Sequence, residues 1–181
     1  MGALRFTSAS TSNGMVERDF TVGDVPGVLW SPAAVVGRAP LVLMGPRSTH
    51  GTRRGGNRRT VPGEGGRRAG RPDRRPLQRP PGRIAVPEYL ATLDALQELP
   101  EIGTDGPVGY WGIHMGSAIG VPFVAVEPRI TAAVFGQHWP DALAEKAKRI
   151  TVPIEFAQQA DDEHISREEG LALFDALAAS G

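Results

Sequence analysis

Four histidines, a pair of adjacent aspartates and one glycine-framed turn hold most of the chemical potential of this 181-residue chain. The most informative stretch is Tyr110-Trp111-Gly112-Ile113-His114-Met115-Gly116. A short strand pattern runs into Gly-x-His-x-Gly, and an apolar helical pattern follows. In the related layout G-x-S-x-G, the middle residue sits on a strained strand-to-helix turn that lifts a nucleophile clear of the backbone. Side chains two before and two after would clash there, which explains both Gly112 and Gly116. Here the raised group is the imidazole of His114. Imidazole can attack an activated acyl carbon, although its acyl adduct is itself labile. Ser117 is the nearest hydroxyl, one helical turn on, and reads as a packed small residue.

A second group lies at Asp161-Asp162, with His164 two residues beyond. Either carboxylate could orient an imidazole. His50, His114, His138 and His164 with Asp161 and Asp162 show no H-x₃-H or H-E-x-x-H spacing, so no metal site is expected. His138-Trp139-Pro140 follows a strand end and either lines a pocket or caps the sheet. There are no cysteines, which excludes disulfides, thiolate metal sites and a cysteine nucleophile.

The elements that must position these groups are legible from periodicity. Val16, Phe20 and Val22 mark one strand and Val28-Leu29-Trp30 another, with Gly23-Asp24 as the turn. Residues 39–44 form a continuous apolar run, as in a parallel-sheet strand buried on both faces. Tyr89, Leu90, Leu93, Leu96 and Leu99 recur at helical spacing, with Pro87 in the first turn and Pro100 closing the helix. Strands are expected over 107–111, 130–135 and 152–156, and a short helix over 141–149. Ser166 and Glu169 form a capping box that opens a last helix through Leu171, Phe174 and Leu177. From residue 86 onward helix and strand alternate, which argues for a parallel sheet with helices on both faces. Residues 1–15 read as a disordered tail, and 16–181 as a single domain.

The formal charge of zero hides a split. Between Arg47 and Arg83 stand twelve arginines and two acids, a net +10, against 8 basic and 18 acidic residues elsewhere. The only apolar side chains in that block are Val61, Ala69 and Leu77, too few to offset the entropy of ordering it. Residues 46–84 therefore read as a disordered basic insert. Arg, Gly and Pro share G- and C-rich codons, so a GC-rich gene read out of frame between two compensating changes would yield such a block. As a genuine insert it could hold phosphates, but it lacks aromatic residues for base stacking.

On the opening strand pair, Leu41-Val42-Leu43-Met44-Gly45, the glycine-framed turn with its helix, and the closing stretch from Val152 to Leu177, the chain resembles a small α/β-hydrolase of the dienelactone-hydrolase-like type. The resemblance covers roughly residues 16–45 and 86–179. It implies an α/β fold, a mainly parallel sheet flanked by helices. That sheet is expected to be incomplete, one central strand and helix being replaced by the Arg/Gly/Pro-rich segment. It also implies acyl transfer on a small carboxylic ester, lactone or thioester, with a triad in the order Ser, Asp, His and no cofactor. Residue by residue, His114 occupies the nucleophile position, Asp162 the acid position, and Met115 one oxyanion donor. The family's base, a histidine beyond the last helix, has no counterpart before Gly181. The loop after Gly45 opens with Pro46, which lacks an N–H. An impaired or inactive enzyme, a pseudoenzyme, is the expectation. The alternative is a non-catalytic protein whose basic arm binds nucleic acid. The first fifteen residues lack the apolar core of a secretion signal and no run approaches ~20 apolar residues, so a cytoplasmic protein without a membrane span is expected.

Overall fold

The computed structural model describes residues 2–34, 36–45 and 82–179. Strands β1 (Leu4–Ser12), β2 (Met15–Val22) and β3 (Val25–Pro32) form an antiparallel sheet in the order β1-β2-β3. Strands β4 (Leu41–Met44), β5 (Val108–Gly112), β6 (Ile130–Gly136) and β7 (Ile154–Ala157) form a second, all-parallel sheet in that order. Helices α1 (Gly82–Gln97), α2 (Met115–Val124), α3 (Ala144–Ala147) and α4 (Arg167–Ala178) alternate with β5, β6 and β7. The described strands thus make two sheets, where the sequence suggests one.

Residues 1–15 are not a tail throughout, because Leu4–Ser12 pairs with β2 along its length. Nearly all of β1 is exposed on both faces. Its burial shows no period-2 alternation of the kind that marks a half-buried strand. Besides the ladder, the strand is held by Ser8 donating to Asp19, by the Arg18 guanidinium over the Phe6 ring and by Leu4 against the core. The signal that finds it is Asn13-Gly14, both at positive φ, as a tight hairpin turn requires. Gly23 likewise adopts φ +59 in the turn between β2 and β3.

Helix α1 starts at Gly82, four residues before the apolar pattern begins, so Pro87 lies inside it. The remainder of the 46–84 block lies outside the described residues. At the far end of α1, Arg18 of β2 bonds Glu101 at 2.7 Å and ties the antiparallel sheet to the helix exit.

The core lies on one face of the parallel sheet. Tyr110 of β5 packs its ring against Phe123 of α2 and Tyr89 of α1, and Phe156 of β7 packs against Phe174 of α4. Phe135 of β6 stands beside both Tyr110 and Phe156 on the same face. Helix α3 packs between α2 and α4. All four described helices therefore cover one face, not both. The strand β4 alternates accordingly: Leu41 and Leu43 are buried, whereas Val42 and Met44 are 58% and 53% exposed. Its continuous apolar run is thus not a strand buried on both faces. Among the described residues no helix is long and apolar enough to cross a membrane.

Candidate active site

The carboxyl ends of β5, β6 and β7 lie side by side, and each releases one polar group. This is where open parallel sheets place their sites. From β5 comes His114, from β6 Gln137, and from β7 Asp162.

His114 has φ 51 and ψ −112 and is the N-cap of α2. Only His114 and Asn13 combine a side chain with positive φ among the described residues. Such a backbone costs about 1–3 kcal/mol and persists where its surroundings over-determine it. The surroundings here are close-packed backbone. A Cβ on Gly112 would lie 2.9 Å from Gly116, and one on Gly136 would lie 2.7 Å from the Ile113 side chain. The Tyr110 hydroxyl donates to the Gly116 carbonyl at 2.7 Å. Ser117 is fully buried, lies 2.8 Å from the Gly136 carbonyl and accepts from the Gly136 N–H at 2.9 Å. It also lies 3.0 Å from the Gly112 carbonyl, so it clips α2 to the ends of β5 and β6 and its hydroxyl is committed to those contacts.

The imidazole of His114 is 43% exposed, and its Nε2 lies 3.8 Å from Asp162 Oδ2. That is too long for a hydrogen bond but within reach of direct charge interaction. Asp162 is only 6% exposed. Its Oδ1 accepts the backbone N–H groups of His164 and Ile165 at 2.7 and 3.0 Å, and its Oδ2 accepts Gln137 Nε2 at 2.7 Å. The two backbone N–H bonds, with help from Gln137 and the nearby His114, hold the carboxyl below the usual carboxylate range. His164 is 81% exposed, with Nδ1 3.9 Å from Oδ1 on the side away from Gln137. Asp161 is exposed. The two neighbouring aspartates are thereby distinguished: Asp162 turns inward toward His114.

Met115 opens α2, so its backbone N–H has no acceptor within the helix. It is free to face a ligand beside His114. The Gly45 N–H is committed to the Trp111 carbonyl at 2.7 Å and supplies no second donor. His138 is half-buried, with its ring edge-on to Trp139. Burial pushes its pKa down, the bond to the Trp139 carbonyl opposes that in part, and the nearby His114 adds a smaller lowering. His138 follows Gln137 directly at the carboxyl end of β6. Exposed Ile113, Met115 and Trp139 give this end an apolar surface. A separate groove of about 290 Å³ lies between β7 and α4, lined by Val152, Ile154 and Phe174 among others, and does not include His114.

Gln137 is the polar residue that sequence reasoning misses. It is buried, and its only mark in the sequence is its place directly after the apolar run of β6. His50 lies outside the described residues.

Neither a family model nor a curated protein matches the sequence. Solved structures do. The chain superposes on the polyethylene-glycol-bound complex of a cold-adapted esterase from an Arctic intertidal metagenomic library with a TM-score of 0.71 at 24% identity, covering 96% of this chain and 85% of that one. Native and zinc-bound structures of a cold-adapted esterase from an Arctic intertidal metagenomic library give 0.69 at 21% identity, covering 96% of this chain and 84% of theirs. At that identity the likeness is one of fold. The chain shares the α/β fold of those structures, with its four-stranded parallel sheet.

Proposed function

We propose that this protein is a carboxylic-ester or lactone hydrolase of the dienelactone-hydrolase-like type with an impaired site, in which an imidazole stands where the nucleophilic hydroxyl would be. The observation that carries this reading is His114 at positive φ between β5 and α2, with Asp162 3.8 Å from its Nε2. The esterase fold likeness supports the substrate class. Strain of this kind, held on a turn at the carboxyl end of a parallel sheet, is the geometry that presents an attacking group to an acyl carbon.

The chemistry open to the site is weak esterolysis. A neutral His114 nitrogen attacks the ester carbonyl, the Met115 N–H faces the oxyanion, and the carbonyl–oxygen bond breaks, the departing alkoxide taking the proton from the other ring nitrogen to leave as the alcohol. Water then attacks the acyl-imidazole, releasing the carboxylic acid and returning the free imidazole. Asp162 stabilises the positive charge that forms on the ring during attack. Two features keep the rate low: the imidazole–carboxylate gap exceeds a hydrogen bond, and Gly45 offers no second oxyanion donor.

The test is hydrolysis of p-nitrophenyl acetate by the full chain, His114→Ala and Asp162→Asn. Slow turnover that disappears in His114→Ala and falls in Asp162→Asn is expected. Turnover unchanged in His114→Ala overturns the reading.

A further inference from the structure

We infer that Gln137 is a positioning residue that locks the Asp162 carboxylate in place beside His114. The inference rests on Asp162 being the acid partner of His114, as proposed above, and adds the group that sets that partner's orientation.

The side chain of Gln137 is 2% exposed, and both ends of its carboxamide are engaged. Its Nε2 donates to Asp162 Oδ2 at 2.7 Å, and its Oε1 accepts the Gln159 backbone N–H at 2.8 Å. The Gln137 N–H in turn donates to the Ala157 carbonyl at 3.1 Å. One residue at the end of β6 therefore grips the last residue of β7, Ala157, and the loop after it at Gln159 and Asp162. A carboxamide fits this task because it donates at one end and accepts at the other; no carboxylate or aliphatic side chain does both.

The consequence for Asp162 is specific. Oδ2 accepts the amide and is the oxygen 3.8 Å from the imidazole, while Oδ1 accepts backbone N–H groups. The titratable groups facing the carboxylate are His114 from the β5–α2 turn and His164 from its own loop. Without the amide, the carboxylate loses one of its three bonds and its loop loses two anchors. The depressed pKa of Asp162 agrees with this arrangement.

The test is NMR titration of the Asp162 carboxyl carbon in the wild-type chain, in Gln137→Met and in Gln97→Met. Gln97 is also buried, but it lies near Arg129 at the opposite end of the sheet. In Gln137→Met the Asp162 midpoint rises toward the ordinary carboxylate value. In Gln97→Met it stays at the wild-type position. Within the wild-type chain, the Gln137 side-chain amide signals move in step with the Asp162 titration, which covers the case of a variant that does not fold. An unmoved midpoint in Gln137→Met, an equal shift in Gln97→Met, or amide signals indifferent to Asp162 would each overturn the inference. None of these readouts needs ester turnover, so a failure here is distinct from a failure of the hydrolase reading.

Discussion

Replacing His114 by glycine should make the protein more stable than replacing it by alanine, the reverse of the usual order of those two residues. His114 sits at φ 51, ψ −112, and its side chain makes no capping bond to α2. Its carbonyl accepts the Ala118 N–H at 3.1 Å, a backbone bond that every variant keeps. Alanine removes the imidazole but retains a Cβ, so the strain of about 1–3 kcal/mol stays. Glycine removes the strain and adds about 0.5–1 kcal/mol of chain entropy to be lost on folding. The balance favours glycine by about 1 kcal/mol, or about 2–4 °C in melting temperature for a chain of this size. Urea and thermal unfolding of the two variants, followed by circular dichroism, read the difference directly. A glycine variant that melts at or below the alanine variant would refute the strained turn, and with it the case for a presented side chain.

Ser117→Ala should destabilise by about 2 kcal/mol, because the buried Gly136 N–H loses its acceptor. Turnover per folded molecule should be unchanged, and a loss of turnover would instead make Ser117 the nucleophile. His138 is expected to make stability depend on pH. Its folded pKa lies below its ordinary 6.5, so its contribution is complete above pH 6.5 and is lost as pH falls through the folded value. Urea unfolding at pH 7.5 and pH 5.0 should show a smaller difference in His138→Gln than in the wild-type chain.

The turn at His114 is legible from sequence because its glycines are dictated by contacts between near neighbours in the chain. The same holds for the hairpin at Gly23 and the capping box at Ser166, both of which the structure contains. What is not legible depends on distant packing. The exposure of Val42 and Met44 follows from helices gathering on one face, and a run of apolar residues carries no record of which side is covered. Asp161 and Asp162 are chemically identical side chains, and in the sequence only the family resemblance prefers Asp162. Their difference comes from the turn in which Asp162 bonds the N–H groups of His164 and Ile165. Strand β1 is a milder case: its polar sequence hides it, while Asn13-Gly14 announces the hairpin that contains it. Gln137 acquires its meaning only when β6 and β7 pair in register and bring Asp162 within reach.

The most direct measurement is p-nitrophenyl acetate hydrolysis by the wild-type chain beside His114→Ala, with both shown to be folded. The expected result is a slow rate in the wild type that falls to the buffer rate in the variant. Equal rates in the two proteins, or no rate above buffer in either, would contradict an acyl-transfer site built on His114.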